Sequence, residues 1–124
     1  MSIVRGFIKL LHTYILTRFM VKKYKALDLF SCAGGASMGL HRAGFDVTGV
    51  DVEPQKNYPF EFVQSNALTF DLSGYDFIWA SPPCQANLKG LNAANTSRGR
   101  ELNHVDLIPQ IRERLRNAGV PYII

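Results

Sequence analysis

The chain has 124 residues, 47% of them hydrophobic and 19% charged, with two cysteines and a net charge of +4. That composition suits one globular domain and excludes a disulfide-stapled scaffold, a low-complexity chain and a solenoid repeat. The charge is uneven: residues 1–25 hold six basic side chains and no acid, whereas the remainder holds 8 basic and 10 acidic ones. By charge alone the body of the chain is not a nucleic-acid-binding surface.

Two regions follow: a basic amphipathic extension over residues 1–22 and an α/β domain over residues 23–124. In the extension, Ile3, Val4, Phe7, Ile8, Leu11, Tyr14, Ile15 and Phe19 recur at three- and four-residue spacing, with Arg5, Lys9, His12 and Arg18 between them. This pattern predicts an amphipathic helix. It is too interrupted by charge to span a membrane and has no signal-peptide cleavage site. A basic helix of this kind suits an anionic membrane surface, but the commoner outcome, expected here, is that it covers an exposed face of its own domain. Translation starting at Met20 is the third reading.

From Tyr24 onward strands and helices alternate. The first strand is predicted over residues 25–30, closed by the small-residue turn Ser31-Cys32-Ala33-Gly34-Gly35. A short helix over 36–43 stops at Gly44, a residue type that favours the left-handed conformation ending helices. A second strand over 46–50 leads into Asp51. Pro54 and Pro59 interrupt regular structure before a third strand over 60–64, which precedes Ser65-Asn66-Ala67. The fourth, over 76–80, runs into Ser81-Pro82-Pro83-Cys84-Gln85. Residues 86–103 are polar, Asn-rich and aperiodic, a length of loop that in a compact domain points to function or mobility. A last helix, with Leu107, Ile108, Ile111, Leu115 and Ala118 on one face, ends near Gly119, and residues 121–124 begin a fifth strand.

This alternation predicts a Rossmann-like α/β fold: a parallel sheet of about five strands with flanking helices and right-handed crossovers. Ligands of such sheets bind beyond the carboxyl ends of the strands. The turn at 31–35, Asp51, Asn66 and Cys84 each follow a different one of four consecutive strands. Gly34 and Gly35 allow close backbone approach to a ligand, and a tight turn without a ligand is the plainer alternative. Asp51 is placed to accept hydrogen bonds from ribose hydroxyls, against the alternative of a solvated turn acid; Glu53 reads as surface. Cys84 is a candidate nucleophile, with a buried, inert thiol as the alternative. His41 and His104 read as surface residues. Cysteines and histidines lack zinc-site spacing, so no metal is expected, and the free thiols make a reducing cytoplasm the default location. Asn95-Thr96-Ser97 matches a glycosylation sequon, which in such a chain is a chance match.

Residues 24–124 resemble the N-terminal part of the DNA (cytosine-5) methyltransferases. Asp28-Leu29-Phe30-Ser31-Cys32-Ala33-Gly34-Gly35 is similar to that family's first motif, Val50-Asp51-Val52 to its second, Ser65-Asn66-Ala67-Leu68 to its third, and Ser81-Pro82-Pro83-Cys84-Gln85 to its catalytic fourth. The resemblance implies S-adenosylmethionine as cofactor and double-stranded DNA as partner. It implies cofactor contacts from Phe30, Ser31, Cys32, Ala33, Gly34, Gly35, Asp51, Val52, Asn66, Ala67 and Pro83. Cys84 would add to carbon 6 of a flipped cytosine so that carbon 5 accepts the methyl group, and the polar loop 86–103 would close over the DNA.

Departures from the pattern are Cys32, where glycine is frequent, and Asn66, where an acid is usual. The family's Glu-Asn-Val and arginine motifs, its target-recognition domain and its final helix have no counterpart among the 124 residues. The resemblance therefore implies a catalytic fragment that is inactive alone. The alternatives are one half of a split enzyme, completed by a chain with the missing motifs, and a non-catalytic cofactor-binding or interaction module.

Overall fold

The computed structural model describes residues 2–19, 22–84 and 105–124. The elements are α1 (Ser2–Phe19), β1 (Lys25–Leu29), α2 (Gly35–Arg42), β2 (Asp46–Asp51), β3 (Glu61–Gln64), β4 (Phe77–Ala80), α3 (Ile108–Ala118) and β5 (Tyr122–Ile123). Gln85, the loop at 86–103, His104 and Met20 lie outside the described residues.

All strand pairings are parallel, in the order β3-β2-β1-β4-β5. The chain steps from β1 outward to β2 and β3, then returns to the other side of β1 with β4. The strand order thus reverses between β1 and β4, which opens a crevice at their carboxyl ends. This is the Rossmann-like architecture that the alternation of elements predicts.

Strand periodicity sorts the core into two layers. Leu27, Leu29, Val50, Ile78 and Ala80 face one side and pack on Ile111 and Leu115 of α3. Ala26 and Val47 face the other with Leu40 of α2, edged by Phe45, Phe60, Phe77 and Trp79. Helix α2 ends at a C-cap on Ala43, with Gly44 at φ +99°, and α3 ends on Gly119 at φ +71°; both are glycine-favoured left-handed stops. Arg114 fastens α3 to the segment after β3, donating to the carbonyls of Ala67 and of Phe70, the latter at 2.6 Å.

Two expectations are corrected. β1 ends at Leu29 rather than at residue 30, because Phe30 turns to φ +60°, outside the range of a strand. Helix α1 does form, but it does not cover its own domain: every described side chain from Ile3 to Thr17 is exposed, including Phe7 at 68% and Leu10 at 73%. Helix α2 covers one face of the sheet at β1 and β2, and α3 packs on the other.

Candidate active site

Backbone hydrogen bonds lace the carboxyl ends of the strands together. Ser31 N–H donates to Val50 O at 3.1 Å, joining the exit of β1 to β2. Ser65 N–H donates to Asp51 O at 2.9 Å and Ser81 N–H to Leu29 O at 3.1 Å, which bring the exits of β3 and β4 alongside. The indole of Trp79 donates to Ser81 Oγ at 2.8 Å and steadies the start of the double-proline turn. Four sequence-distant segments therefore arrive at one edge of the sheet.

The turn after β1 is held in an unusual conformation. Phe30 and Cys32 both have positive φ, +60° and +46°, and Gly34 follows at +91°. Left-handed backbone costs a residue with a Cβ about 1–2 kcal/mol, so two such residues in one turn must be held by their surroundings. The main restraint is Asp51. Its Oδ2 accepts the Cys32 N–H at 2.9 Å and its Oδ1 accepts the Glu53 N–H at 3.0 Å. A carboxylate has about four lone-pair sites, so two remain for a ligand. Burial raises the Cys32 thiol above its ordinary pKa, and the neighbouring Asp51 charge adds to the rise.

Beneath the turn lies a buried polar chain that sequence reading does not reveal. Ser37 Oγ, at 0% exposure, hydrogen-bonds both Asp28 Oδ2 and the Tyr58 hydroxyl. Asp28 Oδ1 and Ser31 Oγ are buried without a partner among the described residues. Burial pushes the Asp28 carboxyl above its ordinary pKa; hydrogen bonding from Ser37 opposes this, and the Asp51 charge adds to it. The Tyr58 hydroxyl is also raised by burial. The Tyr58 ring closes over Gly34 and Gly49. A Cβ on Gly34 would stand 3.0 Å from the ring, and one on Gly49 would stand 2.1 Å from the hydroxyl. Gly49 was the one available clue, since a glycine inside a strand often marks close approach of another group.

A pocket of about 270 Å³ opens at this edge, lined by Phe30, Asp51, Val52, Asn66, Ala67, Leu68, Pro83 and Leu107. Six of these are cofactor-binding residues expected from the sequence; Leu68 and Leu107 are additions. The volume is close to the lower end of the 300–1,000 Å³ typical of small-ligand sites, and the lining is chiefly apolar with one carboxylate. Asn66 Oδ1 accepts the Leu68 N–H at 2.9 Å, so one carbonyl lone pair is already used locally. Of the other expected residues, Ser31 and Gly34 are buried in the turn, and Cys32, Ala33 and Gly35 are exposed on it; none lines the pocket.

Cys84 lies on the other side of β4's exit. Its thiol is exposed rather than buried. It lines a second cleft of about 310 Å³ with Trp79, Ser81, Pro82, Ile108, Arg112 and Ile123. Pro82 borders the cleft of the thiol and Pro83 the pocket of Asp51, so two consecutive residues separate the two. Arg112 was not foreseen, because only folding brings a helix residue to the turn after β4. Among the described residues no cluster of His, Cys, Asp or Glu could hold a metal. His41 is exposed and rests against Phe60 with ring centroids 4.8 Å apart.

No protein-family model and no curated protein matches the sequence. Solved structures do. The chain is similar to a SAM-dependent methyltransferase from Agrobacterium tumefaciens, at 24% identity over 61% of this chain and 32% of that one, with a TM-score of 0.43. It is similar to a TehB-like SAM-dependent methyltransferase from Corynebacterium glutamicum, at 17% identity over 73% and 58%, TM-score 0.43. A third similarity is to phosphoethanolamine N-methyltransferase 2 of Haemonchus contortus in complex with S-adenosyl-L-methionine, at 14% identity over 82% and 35%, TM-score 0.45. The chain spans between a third and three fifths of the length of these structures. Scores of this size carry no argument about the reaction, which rests on the residues themselves.

Proposed function

We propose that this chain supplies the cofactor pocket and the nucleophile of a S-adenosylmethionine-dependent DNA cytosine-5 methyltransferase. The observation that carries the reading is the single pocket in which Phe30, Asp51, Val52, Asn66, Ala67 and Pro83 meet from four different strand exits. Its composition fits the adenosyl part of the cofactor. Val52, Leu68 and Phe30 offer apolar surface for a purine, and Asp51 has lone pairs free for ribose hydroxyls. When bound, the cofactor provides an electrophilic methyl group on a sulfonium.

The chain's own contribution to the chemistry is the thiol. Cys84 Sγ, as thiolate, forms a bond to carbon 6 of cytosine, and the electron pair of the 5,6 double bond makes carbon 5 nucleophilic. After carbon 5 is methylated, its proton leaves to a base, the electron pair re-forms the double bond, and the sulfur–carbon 6 bond breaks to release the thiolate. The exposed position of Cys84 suits attack on a base delivered from outside, as extrusion from a duplex requires. The proline pair fixes the start of this turn next to the pocket wall, so the thiol and a methyl donor are held on neighbouring sides of one short segment.

The test is calorimetric titration with S-adenosylhomocysteine, using the wild-type chain and Asp51→Asn. Saturable binding that weakens about tenfold or more in the variant supports the reading, that being the worth of one hydrogen bond to a charged group. Absence of binding by a folded wild-type chain rejects a cofactor pocket complete within this chain and leaves the split enzyme and the interaction module. Methyl transfer to DNA, alone or with a completing chain, should vanish in Cys84→Ser while S-adenosylhomocysteine affinity stays within about twofold.

A further inference from the structure

Most of the exposed large hydrophobic side chains among the described residues lie on α1. Ile3, Val4, Phe7, Ile8, Leu10, Leu11, Tyr14 and Ile15 are between 46% and 85% exposed. At 100° per residue these eight fall within one half of the helix circumference, while Arg5, Lys9, His12 and Thr13, with the single apolar Leu16 among them, occupy the other half. Thr13 and Thr17 return their hydroxyls to backbone carbonyls of their own helix, at 2.8 and 2.9 Å, and so make no outward polar contact on that side.

An 18-residue helix with no tertiary packing is marginal in water, since most helical stability in proteins comes from burying an apolar face. Something must therefore cover it, and two features restrict what. The partner needs an apolar interior, and it needs negative charge, because residues 1–25 carry six basic side chains and no acid. Duplex DNA has the charge without the apolar interior, and a second copy of α1 would bring like charges together. No helix among the described residues is long and apolar enough to cross a membrane.

We infer that α1 lies in the headgroup region of an anionic lipid bilayer, its apolar half in the acyl boundary and Arg5, Lys9 and the basic run at Lys22, Lys23 and Lys25 against lipid phosphates. A helix with a polar face of Lys and Arg and an apolar face containing aromatic residues binds in this way, by apolar burial together with electrostatic attraction. The inference does not rest on the methyl-transfer reading and stands or falls separately from it.

The experiment is flotation of the full chain with vesicles of phosphatidylcholine alone or of equal parts phosphatidylglycerol and phosphatidylcholine, with far-ultraviolet circular dichroism. The expected result is binding to the anionic vesicles with a gain in helical signal, at least about tenfold weaker on neutral vesicles and at high salt. Phe7→Asp and the pair Arg5→Glu/Lys9→Glu should each weaken it by at least about tenfold. These residues are exposed and touch no core, so the domain remains folded, as near-ultraviolet dichroism of Trp79 would verify. Failure of the wild-type chain to bind anionic vesicles overturns the inference. So does binding that Phe7→Asp leaves unchanged, or a stable dimer by analytical ultracentrifugation that Phe7→Asp dissociates, which would make a second copy the occupant.

Discussion

Replacing Gly49 with alanine isolates the contact that shapes the turn after β1. The new Cβ would lie 2.1 Å from the Tyr58 hydroxyl and 2.2 Å from Cζ, whereas carbon atoms in contact sit about 3.5–4.0 Å apart. The ring must therefore retreat by more than an ångström. It is not free to do so, because its hydroxyl is bonded to Ser37 and its ring lies against Phe60 and Phe62, with centroids 6.0 and 5.4 Å away. Overpacking of this kind costs about 1–3 kcal/mol, and loss of the hydrogen bond to Ser37 adds about 1 kcal/mol. Reduced freedom of the unfolded chain offsets about 0.4–1 kcal/mol of this. The expected net loss is about 1–3.5 kcal/mol.

Urea denaturation of a double-mutant cycle with Tyr58→Ala measures it. In the Tyr58→Ala background only the 2.9 Å approach to Ser31 Oγ remains, so Gly49→Ala should cost less there, giving a coupling of at least about 1 kcal/mol. An equal cost in both backgrounds would show that Tyr58 does not pack on Gly49 and that the account of the turn is wrong.

Three further outcomes are expected. Cys32→Gly relieves a residue held at φ +46°; the gain of about 1–2 kcal/mol from lost strain, less about 0.5–1 kcal/mol for glycine's greater unfolded freedom, should raise stability by up to about 1.5 kcal/mol, read from the denaturation midpoint. Asp28→Asn tests the buried carboxyl. Its folded pKa lies above the ordinary 3.8, so the protonated form is favoured in the fold and the stability it confers is lost as pH rises from 3.8 through the folded value. Asp28→Asn should therefore gain on the wild type across that interval and hold a constant difference above it, in denaturation series at several pH values; a difference independent of pH would contradict the raised pKa. Arg114→Met, which removes the donors to the Ala67 and Phe70 carbonyls, should cost about 2–3 kcal/mol in thermal or urea unfolding, since charged hydrogen bonds contribute about 1.5–3 kcal/mol.

Much of the fold was legible because burial on both faces of a parallel sheet leaves short apolar runs between glycine and proline breaks. The strands expected over 46–50 and 76–80 form at Asp46–Asp51 and Phe77–Ala80, and the glycine stops at 44 and 119 follow from the same pattern. The candidate site is named for a related reason: ligands of such sheets bind just beyond the strands, and Asp51, Asn66 and Cys84 each follow a strand. What could not be read depends on three-dimensional contact. Tyr58 sits in an irregular segment with no periodicity, and only folding carries it over Gly49 and onto Ser37. Arg112 and Arg114 look like solvated helix charges until α3 is packed on the sheet. The exposure of α1 is not legible either, because amphipathicity says that a face seeks cover but not what supplies it.

The central claim, an adenosyl-binding pocket assembled from the strand exits, is tested most directly by mapping amide chemical shifts of the isotopically labelled chain during titration with S-adenosylhomocysteine. The account predicts saturable shifts concentrated at Phe30, Cys32, Asp51, Val52, Ala67 and Leu68, with residues of α1 unaffected. Saturable shifts clustered elsewhere, or a spectrum of a folded protein that does not change at millimolar ligand, would contradict it.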